Sequence, residues 1–184
     1  MPIQKITREE IVNKCVERFR THGFHRTTMS DLAEVCGLQK GSFYHHFTSK
    51  DEILQQGLVQ TSQFFQDRVF AIAYDETLSS KERMKSMLDR HVAIMLREYG
   101  GCLVANLAAE ALHTTPTVRP LLVEISNNWA AALQHILAVR HSSGKAQTLA
   151  WRIIEEIEGA IMLTKLYSNE TFVTQAMARA TEQA

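Results

Sequence analysis

One short segment of the sequence concentrates side chains that can form hydrogen bonds with a nucleic acid. Residues 39–45 read Gln-Lys-Gly-Ser-Phe-Tyr-His. The Lys40 ammonium can donate to a guanine edge or to a phosphate, and the Gln39 amide can pair with adenine or cap a helix. Gly41 would let the backbone lie close to DNA. Further polar side chains that we expect to be exposed are Ser42 and His45. This chemistry reads base edges and positions phosphates.

Two short helices joined at Gly37 are predicted to hold this segment. Gly37 stands where the first helix must stop and the chain must turn, a position that favours a residue tolerating positive φ. Phe43 and Phe47 are four residues apart and should pack inward, which leaves the polar side chains outside. A helix this short is marginal alone, so its neighbours must hold it. The pattern predicts a helix-turn-helix, whose second helix enters the DNA major groove.

At these residues the chain resembles the TetR family of bacterial transcriptional regulators. The matching elements are Gly23-Phe24, Thr27-Thr28, Leu32-Ala33, Gly37, Lys40-Gly41, Phe43-Tyr44, His46-Phe47, Lys50-Asp51 and Leu54. The resemblance implies phosphate contacts from Thr27, Thr28 and Lys50. It also implies that Tyr44 and His45 contact phosphates or bases. Two alternatives stay open, because Thr28 can be a pure helix cap and Tyr44 can be a packing residue.

The whole chain is predicted to be all-α, with about nine helices. Capping boxes should start helices 1, 2 and 4 at Thr7 with Glu10, Thr28 with Asp31 and Ser49 with Glu52. Helices 4, 6 and 8 are predicted over residues 50–74, 103–113 and 146–167, and helices 5 and 9 should end near residues 99 and 181. The predicted organisation is a helix-turn-helix head over residues 1–49 and a body over residues 50–184, with helix 4 as the connector.

Composition favours an ordinary globular protein of a reducing compartment. The chain has 184 residues, of which 45% are hydrophobic and 22% charged, and its three cysteines lack paired spacing. It shows no membrane-length apolar run and no secretory signal pattern, so we expect a cytoplasmic location and no membrane contact. The net charge is zero, but residues 1–50 carry eight Lys and Arg against five Asp and Glu. The basic excess therefore lies with the motif, where phosphate binding needs it.

Catalysis and metal binding find little support in the sequence. The run at residues 39–42 lacks the glycine-rich stretch of a phosphate loop, and no convincing nucleophile and base pair is present. Four histidines of the head could suggest a metal: His22, His25, His45 and His46. Adjacent helical residues point about 100° apart, so we expect no metal, no cofactor and no enzyme. A partner-binding module that does not touch DNA is a further alternative, which Lys40, Tyr44 and Lys50 disfavour.

The body is expected to form a homodimer. One small head reads too few base pairs, whereas a two-fold dimer reads half-sites about 34–36 Å apart on a double-stranded operator. The resemblance places the dimer contact in helices 8 and 9. The candidate interface residues are Ile153, Ile157, Ala160 and Ile161. The alternative is that part of this apolar surface is intramolecular core.

The resemblance also implies that the body binds a small-molecule effector, which shifts helix 4 and releases the heads from the operator. Members of the family usually act as repressors, so the resemblance implies repression. The candidate effector-binding residues are Met87, His91, Met95, Cys102, Asn106, Trp129, Trp151 and Glu158. Methionine and tryptophan give an adaptable lining, which predicts an apolar or amphipathic effector. Each residue can instead be core, and Glu158 can instead contact a partner or edge the dimer face.

Cys102 supports a different kind of signal. The run Gly101-Cys102-Leu103 resembles a subgroup of the family in which some members sense oxidants or electrophiles through the cysteine. A thiol at a helix N-terminus has its thiolate favoured by the helix dipole. The alternative is a small residue chosen for packing, as we expect for Cys15 and Cys36 on apolar faces.

Overall fold

The computed structural model describes residues 6–97, 101–111 and 115–184, and these residues form helices without any strand. The α-helices are α1 (Arg8–His22), α2 (Met29–Val35), α3 (Lys40–Tyr44), α4 (Lys50–Arg68), α5 (Ser80–Leu96), α6 (Leu103–Glu110), α7 (Arg119–Leu137), α8 (Ser143–Tyr167) and α9 (Thr171–Glu182). Two 3-10 helices span Phe70–Tyr74 and Pro116–Val118. The all-α prediction is confirmed. The helix ends predicted near residues 99 and 113 fall outside the described residues.

Two of the three predicted capping boxes are present. In α1 the Thr7 N–H donates to the Glu10 carboxylate at 2.8 Å, and in α2 the Thr28 N–H donates to Asp31 at 2.8 Å. The prediction for α4 is only half right. Ser49 accepts from the Glu52 N–H at 3.2 Å, but the Glu52 carboxylate accepts from the Thr48 N–H at 2.9 Å. A further box, Ser79 with Glu82, starts α5 and was missed.

The fourth helix ends earlier than predicted. It stops at Arg68, and the chain continues as a 3-10 turn whose Phe70 side chain is buried in the body. Two arginine side chains of α5 donate hydrogen bonds to backbone carbonyls at this break. Arg90 donates to Arg68 O at 2.7 Å, and Arg83 donates to Ala73 O at 3.0 Å. Helix ends leave carbonyls that need such donors. The break therefore depends on contacts distant in sequence.

Two hydrophobic clusters form the core. One unites α5, α8 and α9 with the later part of α7 and the end of α4. The other unites α1 to α3 and the first half of α4 with Leu107 of α6 and Leu122 of α7. Helices α6 and α7 thus pack directly against the N-terminal helices. None of the helices in the described ranges is long and apolar enough to cross a membrane.

Candidate nucleic-acid interface and internal cavity

The turn between α2 and α3 closes as predicted at Gly37. Its φ is +68°, the left-handed region that glycine adopts without strain. The Gly37 N–H donates to Glu34 O and the Leu38 N–H donates to Ala33 O, both at 2.9 Å. These bonds satisfy carbonyls at the end of α2, so the chain reverses sharply and α3 begins at Lys40.

Phe43 and Phe47 hold α3 in place. The two side chains are almost completely buried, with ring centroids 6.0 Å apart. The opposite side of the segment faces solvent, and its exposed residues are Gln39, Lys40, Gly41, Ser42, Tyr44 and His45. Gln39 makes no cap hydrogen bond, so its expected alternative role as a cap is wrong. Tyr44 is 44% exposed and available to a partner.

The remaining three residues predicted to contact DNA form hydrogen bonds within the protein. Thr27 is buried, and its hydroxyl donates to Gly23 O at 2.8 Å. Thr28 is exposed and caps α2, as the alternative reading of that residue held. The Lys50 ammonium donates to Phe24 O at 2.9 Å and to Thr27 O at 3.2 Å, above the Phe24 ring. It fastens α4 to the loop before α2.

A cluster around Arg8 was missed by the sequence analysis. The Arg8 guanidinium donates to His46 O at 2.5 Å and forms an ion pair with Glu52 at 2.9 Å. It also lies 4.2 Å from the centre of the Phe47 ring. Residues in α1, after α3 and in α4 are joined by this one side chain. Nothing in the local sequence links positions so far apart.

A cavity of about 180 Å³, partly open to the surface, lies in the body between α4, α5, α6, α7 and α8. Five of the eight predicted effector-binding residues line it: His91, Met95, Cys102, Trp129 and Glu158. Phe65 and Phe70 complete its aromatic wall, although neither was predicted. An apolar residue at helical spacing can line a cavity or fill the core, and the sequence does not distinguish the two.

Three predicted effector-binding residues do not line this cavity. Met87 is fully buried in the body core. Asn106 lies in a surface groove with Arg20 and Lys165. Trp151 is 37% exposed and lies in a surface groove that shares Val104 and Ser126 with the cavity wall. Helical spacing identifies a face of a helix, but not which neighbour that face meets.

Stacked aromatic rings dominate one end of the cavity. The His91 and Trp129 rings stack with centroids 4.0 Å apart, and Phe65 lies 5.3 Å from His91. Burial lowers the pKa of His91 to about 3, so the ring is neutral at physiological pH. Both ring nitrogens of His91 and the indole nitrogen of Trp129 are buried, and no described residue forms a hydrogen bond with them.

Cys102 and Glu158 form the polar part of the cavity wall. The Cys102 thiol donates to the Glu158 carboxylate, and burial raises the pKa of both groups. The Glu158 charge raises the pKa of the Cys102 thiol further, while the N–H groups of α6 lower it by less. The expectation that the helix dipole favours the thiolate is therefore wrong for this conformation, because burial outweighs the dipole.

The predicted dimer-interface residues are already covered within one chain. Ile153, Ile157, Ala160 and Ile161 are each at most 7% exposed and belong to the body core. Their burial supports the alternative that they are intramolecular core. Other residues near the end of α8 are exposed: Met162 at 61%, Leu166 at 69% and Tyr167 at 64%.

Helix α6 joins the cavity to the N-terminal helices. Leu103, Val104 and Ala105 in its first turn line the cavity. At its other end the Glu110 carboxylate accepts from the Phe24 N–H at 2.9 Å. The His25 ring nitrogen Nε2 and Glu110 O are 2.8 Å apart. Both ends of one eight-residue helix therefore contact candidate functional parts of the molecule.

No group of three or more His, Cys, Asp or Glu side chains within the described ranges is placed to hold a metal ion.

An exposed second helix on a buried phenylalanine pair, joined to a helical body, is the architecture of a helix-turn-helix regulator. Two family models match the chain. "Bacterial regulatory proteins, tetR family" matches residues 11–56, and "Tetracyclin repressor-like, C-terminal domain" matches residues 80–180. The chain belongs to the TetR family and is a transcriptional regulator of the helix-turn-helix type. Members of this family bind DNA operators.

Individual relatives agree with this assignment. The HTH-type transcriptional repressor DhaR of Mycobacterium sp. (strain GP1) is 26% identical over 189 aligned residues, which cover 95% of this chain and 94% of DhaR. A TetR regulator structure from Legionella pneumophila has a TM-score of 0.89 at 20% identity and covers 99% of this chain and 98% of its own. A TetR regulator from Chloroflexus aurantiacus has a TM-score of 0.81 at 24% identity, with 95% and 92% covered. Each of these two solved structures is similar in fold to this chain.

Proposed function

We propose that the protein is a ligand-responsive repressor that binds a palindromic operator as a homodimer. The observation that carries this proposal is the exposed polar face of α3, behind which Phe43 is fully buried. Repression is supported by the similarity to DhaR, which is described as a repressor. In this proposal residues 1–49 are the DNA-binding domain, and residues 50–184 form the domain for the effector and the dimer contact.

The exposed α3 residues divide by chemistry. The Gln39 amide and the Lys40 ammonium are suited to base edges, while the Ser42, Tyr44 and His45 side chains are suited to phosphates or bases. Gly41 leaves open space above the backbone, since a Cβ there would meet no atom within 4 Å. A close approach of backbone to DNA would use that space.

DNA binding can be tested by fluorescence anisotropy with the duplex that precedes the protein's own gene. Lys40→Ala and Tyr44→Ala should each weaken binding about tenfold or more, since one good contact contributes about 1–3 kcal/mol. Loss of a phosphate contact would also reduce the slope of log Kd against log salt by about one. Lys81→Ala is the matched control, because Lys81 is an exposed lysine in the first turn of α5. Equal affinity of all variants would reject the assignment of α3.

The dimer contact is proposed for the exposed apolar end of α8, around Met162, Leu166 and Tyr167. Exposed apolar side chains at one end of a helix are suited to a partner surface. Leu166→Glu should convert a dimer into a monomer in light scattering and weaken operator binding. Val139→Glu is the control, because Val139 is 61% exposed but lies beyond the end of α7. A parent protein that is monomeric at micromolar concentration would reject this surface.

The effector signal is proposed to pass through α6 as well as α4. An effector in the cavity contacts the first turn of α6, and the Glu110 carboxylate at the other end holds the loop before α2. A ligand shifts the protein only if it prefers the shape that does not bind DNA. A displacement of α6 by the effector would supply that preference.

A further inference from the structure

The cavity is small, and its size limits what can occupy it. Its volume is about 180 Å³. An apolar protein cavity of about 150 Å³ accepts benzene. One aromatic ring with a short substituent therefore fills the space, while a long acyl chain or a multi-ring compound would require the surrounding helices to move.

The lining of the cavity excludes anions. Among its lining residues there is no Lys or Arg, and Glu158 is the single acid. Among the lining residues, His91 is the one side chain that could carry a positive charge, and burial keeps it neutral. A carboxylate or phosphate would enter this space without a cation to pair with, and it would lie near the Glu158 carboxylate. The cost of an unpaired charge in an apolar site is large.

The same lining suits a cation with an aromatic ring. Trp129, Phe65 and Phe70 line the cavity, and the faces of aromatic rings attract cations and stack on flat molecules. Glu158 is half-buried and, among described side chains, its hydrogen-bond partner is the weak Cys102 donor. An ammonium is a much stronger donor to a carboxylate than a thiol is.

Unpartnered polar atoms add a second, independent indication of a ligand. His91 is 4% exposed and Trp129 is 5% exposed, yet the three ring nitrogens of these cavity-lining residues have no hydrogen-bond partner in the described part of the chain. Buried polar groups are paired in most proteins. The indole N–H donates only, and the neutral imidazole has one donor and one acceptor. An ammonium N–H of a bound ligand can donate to that acceptor.

We propose that the effector cavity takes a compact arylalkyl amine of one ring, with its basic nitrogen at Glu158 and its ring against Trp129 and His91. This inference rests on the proposed effector-binding function and names the chemical class of the effector. The ion pair with Glu158 selects the charge, and the volume of the cavity selects the size.

The experiment uses three probes of equal size: benzylamine, benzyl alcohol and benzoate. The chain contains two tryptophans, so Trp151→Phe leaves Trp129 as the only indole to report binding by fluorescence. Benzylamine should bind about tenfold or more tightly than benzyl alcohol, an increment that an ion pair and a cation–π contact away from water supply. Benzoate should not bind. In Trp129→Phe, the remaining Trp151 lies outside the cavity and should not respond.

Glu158→Gln provides the decisive comparison, because it removes the charge and keeps the shape. This variant should lose the preference for benzylamine over benzyl alcohol. The proposal is overturned if no probe binds, if benzoate binds as well as benzylamine, if the preference persists in Glu158→Gln, or if Trp151 responds in place of Trp129.

Operator binding by the same preparations, measured without any probe, separates this proposal from the proposed function. Normal operator binding together with failure of the probes overturns the amine assignment alone. Loss of operator binding in the parent protein rejects the proposed function itself.

Discussion

The Glu110 carboxylate accepts a hydrogen bond from the backbone N–H of Phe24 at 2.9 Å, across 86 positions of sequence. Gly23 makes this approach possible, since its φ is +83° and a Cβ there would lie 2.9 Å from Glu110 Oε1. The bond ties the last residue of α6 to the loop that precedes α2. It is a polar contact between the helix whose first turn lines the cavity and the helix-turn-helix.

Removing this carboxylate should loosen the loop and reduce the response to an effector. Glu110→Ala leaves the Phe24 N–H without its charged acceptor, so we expect a loss of about 1 kcal/mol in the free energy of unfolding. The Phe24 amide should also exchange with solvent faster in hydrogen-exchange measurements. Glu124→Ala, at an exposed position of α7, is the control. Unchanged exchange at Phe24 would contradict the importance of this bond.

Gly57 should not tolerate a side chain. A Cβ at this position of α4 would collide with the Val16 side chain of α1. Gly57→Ala should therefore lower the free energy of unfolding by about 1–3 kcal/mol, as overpacking does, and Val16→Ala should restore part of the loss. Thermal or urea unfolding measures both effects. Gly144→Ala is the control, because nothing lies within 4 Å of a Cβ there, and a destabilisation of equal size in that variant would contradict the steric explanation.

His91 should make the protein less stable as the pH falls. Its pKa is about 3 in the folded protein and near 6.5 when exposed. Between these values the unfolded chain binds the extra proton, so the contribution of His91 is complete above about pH 6.5 and is lost progressively as the pH falls towards 3. The loss is at most about 1.4 kcal/mol per pH unit. Urea unfolding at pH 7, 6 and 5 measures it.

A variant without the imidazole isolates the effect of His91 from that of the carboxylates. His91→Phe keeps an aromatic ring beside Trp129, and its stability should fall less steeply with acidification. His135→Phe is the control, since His135 is exposed on α7. Equal slopes for the parent and His91→Phe would show that this histidine is not the source.

Cys102 should resist alkylation in the folded protein. The residue is 8% exposed, and burial together with the nearby Glu158 charge raises the pKa of its thiol. We expect iodoacetamide to modify it at less than about a tenth of the rate of a free cysteine, because the thiolate is the reactive form. Mass spectrometry after timed labelling measures the rate, with labelling in urea as the control. Rapid labelling of Cys102 in the native state would favour the alternative signal, oxidant or electrophile sensing.

Features that depend on neighbours in sequence were predictable. The caps at Thr7 and Thr28 and the positive φ at Gly37 follow from residue types over three or four positions, and the structure contains all three. The inward position of Phe43 and Phe47 follows from their spacing of four. Such signals sufficed for the helix-turn-helix and for the all-α fold.

Features that depend on tertiary partners were not predictable. An apolar stripe on α8 indicates burial, but not that Ile153 and Ile157 are covered by other parts of their own chain. Trp151 follows the same helical spacing and yet lies at the surface. Arg8 and Glu110 look like ordinary solvated charges until the fold brings their partners within hydrogen-bond distance.

The position of Lys50 has a mechanical consequence. Its ammonium donates to two carbonyls of the loop before α2, those of Phe24 and Thr27. Arg8 of α1 forms an ion pair with Glu52 in the first turn of α4. These contacts hold the junction at residues 49–50 rigid, so it cannot act as a hinge. We expect the N-terminal domain and the start of α4 to tilt together as one rigid lever, so that a small rotation deep in the body becomes a larger displacement at the tip that reaches the double helix.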